Sequence, residues 1–262
     1  MRIVVDYLNA VIIRKRKTMQ IKLGHIQELT RYPVKSMAGI AVQSAFLGWH
    51  GLQADRRFAF RRLNDSSGFP WLSASKLPEL LLYQPIGMDE NAAEPLPTHV
   101  RTPEGEMLEI GSSELQNHIS EKFGSPVELM QLKHGIFDEA SLSVINMATI
   151  QAICQQAGQP VDTRRFRANV VLDAIATEPF HEDTWVNGKL VFGDAETGPM
   201  VQVTMRDIRC MMINLNPDTA KQDSSIMKTV VNLNENNAGV YGTVVRTGEV
   251  RVGDRVTLWL EK

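Results

Sequence analysis

The chain has 262 residues, 43% hydrophobic and 22% charged, with a formal net charge of −2. That length admits one large domain or two modest ones, and that composition supports a buried core and excludes a disordered chain. The 28 lysines and arginines are scattered rather than massed, which argues against nucleic acid as a partner.

Along the chain, strand signals dominate. Residues 3–13 (IVVDYLNAVII) are apolar apart from Asp6 and Asn9, and RKRK follows at 14–17. A secretory signal has the opposite order, and the run is too short to span a bilayer, so 1–18 is expected to be a disordered leader. No other stretch is apolar enough for a membrane. Strands are expected over 19–29, 40–47 and 55–63, with loops at 64–70 and 88–97, then strands around His99–Arg101 and Met107–Ile110. Two helices follow. In the first, Ser113 caps, Gln116 completes a capping box, Leu115, Ile119 and Phe123 share a face, and Gly124 stops it. In the second, Asn146 caps, Ile150, Ile153, Cys154 and Ala157 form the stripe, and Gly158 and Pro160 end it. Strands return at 168–173, 189–194, 201–207 and 210–215, and the tail reads as a hairpin turning at Thr247-Gly248-Glu249. Many short strands with few helices predict a mainly β, α+β chain built on closed or nearly closed barrels. The expected division is a leader (1–18), a first subdomain (19–97) and a second (98–262), with strands from both sides able to share one core.

The common catalytic signatures are absent. There is no phosphate-binding glycine loop, no Gly-x-Gly-x-x-Gly, no His-Glu-x-x-His and no Gly-x-Ser-x-Gly. The two cysteines, Cys154 and Cys210, exclude a disulfide framework and a four-cysteine iron–sulfur cluster, and fit a reducing cytoplasm. What remains is a set of separated basic motifs: Lys35-Ser36, Arg56-Arg57, Arg164-Arg165-Phe166-Arg167-Ala168-Asn169 and Arg209-Cys210. Converging from distant segments, such cations and amides suit a phosphate or another polyoxygenated ligand; taken singly they read as ordinary surface charges. Cys210 is the sharper case. A thiolate is a soft donor for a transition metal, and Arg206 and Arg209 nearby would stabilise the anion. Cys154, on an apolar helical stripe, reads as a small buried hydrophobe.

The motifs YPVKSMAGI (32–40), DRRFAF (55–60), RRFRANVVLD (164–173), EDTW (182–185), RCMMINLNPDT (209–219), GVYGTVV (239–245) and VRVGD (250–254) stand in an order that carries a resemblance. From about Ile21 onward the chain resembles the MOSC proteins, which share the C-terminal domain of molybdenum cofactor sulfurases. It looks most like the branch with an N-terminal MOSC-type β-barrel, which includes the mitochondrial amidoxime-reducing component and its bacterial counterparts. The resemblance implies a MOSC-type β-barrel with an N-terminal β-barrel subdomain and a molybdenum–pterin cofactor (Mo-molybdopterin). Cys210 would be the catalytic residue and metal ligand. Lys35, Ser36, Arg57, Arg167, Asn169, Arg209 and Tyr241 would hold the pterin and its phosphate, with Asp183 supporting the site from behind. It further implies reduction of N-hydroxylated or N-oxide compounds. Because no ferredoxin-like segment follows, electrons are expected from a separate ferredoxin- or flavoprotein-type donor. The alternative is a cofactor or sulfur carrier working through a Cys210 persulfide. Pyridoxal phosphate is not expected, since no lysine can be defended for it. Three departures from the family pattern bear on substrate preference: Ser73-Ala74-Ser75 in place of Thr-x-Arg, Ser141 in place of a proline, and Met211 to Asn214 in place of a threonine-containing run.

Overall fold

The computed structural model describes residues 18–133 and 135–261, so the expected leader, apart from Thr18, lies outside the described residues. The first half of the chain holds β1 (Thr18–Arg31), β2 (Ile40–Val42), β3 (Ser44–Gly48), β4 (Gly51–Leu52), β5 (Phe58–Arg62), β6 (Gln84–Ile86), β7 (His99–Arg101), β8 (Met107–Glu109), α1 (Ser113–Phe123) and β9 (Val127–Gln131). The second half holds β10 (Leu142–Asn146), α2 (Met147–Gln156), β11 (Val170–Ala174), β12 (Lys189–Phe192), β13 (Met200–Ile208), α3 (Ser225–Asn234), β14 (Asn237–Arg246), β15 (Gly248–Arg251) and β16 (Arg255–Glu261).

Seven strands close a barrel in the order β11-β10-β14-β13-β12-β16-β1, and β1 pairs back onto β11. The β10–β11 pair is parallel, with α2 in the crossover, and the other barrel pairs are antiparallel. Inward residues recur every second position, as a pleated strand requires: Leu142 and Val144, Val170 and Leu172, Leu190 and Phe192, Val201 and Val203, Val256 and Leu258. Gly24 sits where β1 shifts register between Lys22 and Gly24. A Cβ there would stand 2.0 Å from the Asp173 carbonyl oxygen, so the close approach of β1 and β11 requires glycine. On the outer face, Ile145, Val171 and Ala238 pack under Ile150, Ile153 and Cys154 of α2 and Ile226 and Val230 of α3.

A second core gathers Phe58 and Phe60 of β5, Val100, Leu108, Leu115 and Ile119 of α1, and Val127 of β9. The β6–β7 pair bridges the division expected between 97 and 98, and β1 from the first half closes the barrel of the second.

Several expectations are corrected. The run 210–215 is not a strand: Met211–Asn214 forms a 3-10 turn because Leu215 returns an N–H to the Met212 carbonyl. The tail is not a hairpin. β14 ends at Arg246, β15 pairs with β3, and β16 pairs with β1 and β12, because Val250 buries beside Ala45 and Leu47 against the barrel core. The cap of α1 is Ser112, whose hydroxyl accepts from the Leu115 N–H, and Gln116 instead accepts from the Leu129 N–H of β9. The Asn146 cap of α2 holds, accepting from the Ala148 N–H at 3.3 Å.

Candidate functional site

Between the two cores, four separated segments converge. The segment leaving β1 carries Tyr32, Lys35 and Ser36, and the turn before β5 carries Asp55 and Arg56. The approach to β11 carries Arg167 and Asn169, and the end of β13 carries Asp207, Arg209 and Cys210. Asn169, almost fully buried, ties them together. Its amide nitrogen donates to the Thr30 carbonyl at 3.2 Å, and its amide oxygen accepts from the Ser143 N–H and from Arg56, each at 3.1 Å. Ser143 is the β10 partner of Tyr241, which brings Tyr241 to the same side.

Three of these residues, Ser36, Arg56 and Arg167, adopt positive φ angles of 69°, 44° and 50°. Left-handed backbone at a residue with a Cβ costs on the order of 1–2 kcal/mol and persists where the surroundings over-determine it. Here the surroundings are plain. Arg167 stacks 4.2 Å from the Tyr32 ring centroid and donates to the Met37 carbonyl at 2.7 Å. Arg56 lies over the same ring at 5.2 Å, donates to the Arg167 carbonyl at 3.2 Å, and pairs with both Asp55 and Asp138.

Lys35 donates to the Phe137 carbonyl at 2.8 Å and lies 5.5 Å from the Phe69 ring centroid. Burial lowers its pKa, Asp138 opposes that shift, and Arg56 and Arg167 reinforce it. Burial also draws Arg167 down to about 10, leaving it cationic at neutral pH. Burial alone would lower Arg209, but Asp207, Tyr241 and Cys210 outweigh it and hold it above its ordinary value. Arg209 pairs with Asp207, donates to the Phe166 carbonyl, and keeps a buried Nε without an acceptor among the described residues. Burial raises the Tyr241 hydroxyl, with Asp207 and Asp138 adding to it.

Cys210 is exposed and unbridged at the head of the 3-10 turn. The turn is clamped on both sides. Asn236 receives the Arg209 N–H at 2.8 Å and returns its side-chain amide to the Arg209 carbonyl at 2.9 Å. Buried Arg165 donates to the Leu215 carbonyl at 3.1 Å. The Ser36 hydroxyl approaches the Met212 sulfur at 3.8 Å, linking the Lys35 segment to this turn.

Of the residues expected from sequence, Lys35, Ser36, Arg167, Asn169, Arg209, Cys210 and Tyr241 come together. Arg57 does not join them: its guanidinium donates to the Leu132 and Lys133 carbonyls and faces a groove of about 180 Å³ beside Trp49 and Glu94. Its neighbour Arg56 takes the place in the cluster. Asp183 accepts from Asn234 at 2.9 Å and Arg206 at 3.4 Å, so its contacts, and those of Arg206, are with each other and with α3. Tyr32, Asp55, Asp138 and Asp207 were not singled out. Asp207 and Arg209 share one face by their spacing of two, the one available signal.

Among the described residues no group of three or more His, Cys, Asp or Glu side chains could hold a metal ion. No helix among them is long and apolar enough to cross a membrane.

Comparison with known proteins adds the following. Residues 23–123 match the MOSC N-terminal beta barrel domain and residues 131–257 the MOSC domain. The chain is 24% identical to a molybdenum cofactor sulfurase from Oryza sativa subsp. japonica over 297 aligned positions. That alignment covers 90% of this chain but 34% of the relative, so the chain spans about a third of its length. Among solved structures, the YUAD protein from Bacillus subtilis aligns at TM-score 0.49 and 12% identity, covering 94% of this chain and 100% of that one. YiiM from Geobacillus stearothermophilus aligns at TM-score 0.33 and 14% identity, covering 45% of this chain and 54% of that one. With the two family domains together spanning most of its length, the chain belongs to the MOSC family, in the arrangement where the MOSC domain follows the family's N-terminal β-barrel.

Proposed function

We propose that the chain binds a molybdenum–pterin cofactor with Cys210 as its metal ligand and reduces N-hydroxylated or N-oxide compounds. The observation that carries this reading is an exposed free thiol at the edge of a buried cluster of cations and amides. The donor set fits such a group. One soft sulfur suits the metal, while Lys35, Arg56, Arg167 and Arg209 suit a pterin phosphate. The buried Nε of Arg209 and the buried Oδ1 of Asn236, each without a partner among the described residues, would find one in a heteroatom-rich ring.

When bound, the group supplies a two-electron redox couple. The chain's own part is binding, orientation and charge balance. Asn169 fixes Arg56, Tyr32 fixes Arg167, and the Asn236 and Arg165 clamps hold the turn that presents Cys210 to solvent, where a substrate reaches it. In the net reaction an N-hydroxyl compound takes up two electrons and two protons, its N–O bond breaks, and the oxygen leaves as water. The electrons come from a separate donor protein of ferredoxin or flavoprotein type, and the exposed thiol suits a reducing compartment, the cytoplasm.

A second reading, a cofactor or sulfur carrier using a Cys210 persulfide, draws on the similarity to a molybdenum cofactor sulfurase. The test is molybdenum and pterin content in protein from a cofactor-competent host, beside Cys210→Ala. Near-stoichiometric metal that disappears in the variant is expected. Wild-type protein without metal, even after reconstitution, overturns the reading. If metal is bound but no N-hydroxylated compound is turned over with a chemical reductant, the carrier reading takes its place.

A further inference from the structure

The charges around Arg56 do not balance. Four cations, Lys35, Arg56, Arg167 and Arg209, meet three carboxylates, Asp55, Asp138 and Asp207. The carboxylates are not equivalent. Asp55 is fully buried and accepts the Tyr32 N–H at 2.6 Å. Asp207 accepts the Ser143 hydroxyl at 3.4 Å. Asp138 sits in an irregular stretch, its side chain is 16% exposed, and beyond Arg56 its hydrogen-bond donor among the described residues is the adjacent Glu139 N–H at 2.9 Å. The backbone beside it is pinned, with the Phe137 N–H on the Arg56 carbonyl and the Phe137 carbonyl on Lys35. The Asp138 side chain can therefore turn out by rotamer change alone.

We propose that Asp138 is the displaceable counterion of this cradle, paired with Arg56 until a dianionic phosphate monoester takes its place. The proposal rests on the cofactor reading above, whose phosphate is such a group. With Asp138 in place the cradle carries one net positive charge, and with Asp138 turned out it carries two. A dianion entering at Arg56 restores neutrality after breaking the Arg56–Asp138 pair. A monoanion already brings the cradle to neutrality with Asp138 in place, and gains nothing by breaking that pair.

The test uses the full chain made in a host that lacks the pterin cofactor, with calorimetric titration at pH 8, where inorganic phosphate is chiefly the dianion. Wild type should bind phosphate and discriminate against nitrate. Asp138→Asn should bind phosphate about tenfold more tightly and nitrate by a smaller factor, so that the preference for phosphate widens. Asp138→Ala should behave alike, and Glu139→Gln, on the exposed neighbour, should change nothing. Unchanged phosphate affinity and unchanged discrimination in both Asp138 variants overturn the proposal, and so does an absence of phosphate binding in every protein. Molybdenum content of the same chains from a cofactor-competent host separates the cases. Metal retained with no Asp138 effect sinks the counterion alone, whereas metal absent from wild type sinks the cofactor reading.

Discussion

At one end of β10, the Ser143 hydroxyl donates to Asp207, whose carboxylate is paired with Arg209. At the other end, the Asn146 N–H reaches Glu182 at 3.4 Å, and the carboxylate is completed by the Thr149 hydroxyl at 2.8 Å rather than by a cation. Both acids are pushed up by burial, Glu182 to about 7 and Asp207 to about 6, with Arg209 pulling Asp207 back down. Glu182 thus serves the N-terminus of α2 and closes on itself. Asp207 belongs to a set of charges with one cation left over. In this protein a buried carboxylate marks a candidate site only where it sits among such unbalanced partners.

Conservative amide substitutions at the two ends should therefore have opposite signs. Asp207→Asn leaves Arg209 buried and unpaired, partly offset by relief of a carboxylate that burial already pushes up, and should cost about 1–3 kcal/mol in denaturant unfolding at pH 7. A loss below about 1 kcal/mol would mean that Arg209 is held chiefly by the Phe166 carbonyl. Glu182→Gln should stabilise the protein at high pH. The folded pKa of Glu182 lies above its ordinary value, so its contribution is fully present below about pH 4.5 and is lost as pH rises through about 7. At pH 8 the variant should exceed wild type by on the order of 2–3 kcal/mol, and its stability between pH 4.5 and 7 should slope less. Equal slopes in the two proteins would remove Glu182 as the titrating group.

Smaller effects sharpen the contrast. Asn236→Ala deletes the donor to the Arg209 carbonyl and should cost about 1–2 kcal/mol, together with faster alkylation of a less ordered Cys210. Glu235, exposed and left-handed at φ 51°, ends α3. Glu235→Gly should gain about 0.5–1 kcal/mol in thermal unfolding, because the exposed Glu235 side chain is held far less than the buried Arg56 and glycine adopts this φ without strain. A loss instead would assign real strength to the 3.4 Å Arg206–Glu235 pair.

Strand positions were legible because alternation survives wherever one face is buried. α3 was not, since Ser225–Asn234 contains Thr229, Val230 and Val231, which favour strands by propensity and are helical here through packing on α2 and β14. The turn after Cys210 departs from expectation for a related reason: Met211 to Leu215 is apolar enough for a strand, but the Asn214 and Leu215 carbonyls accept from Arg165 and the Met212 carbonyl from the Leu215 N–H. The choice between Arg56 and Arg57 was out of reach. A positive φ at Arg56 breaks the alternation that would have told which side chain turns inward. Asp138, far along the chain from Arg56, carries no local signal at all.

The strands nearest the two ends of the described chain are partners, with Met19 opposite Leu260 and Ile21 opposite Leu258. During synthesis, β1 emerges well before β16 and waits unpaired on that edge until β16 has cleared the ribosome. Every cluster residue from Lys35 to Tyr241 is translated before the barrel can close. So much long-range pairing favours slow folding, with the exposed edge of β1 open to chaperones in the meantime. Removal of the last strand should abolish the cradle without touching any residue in it.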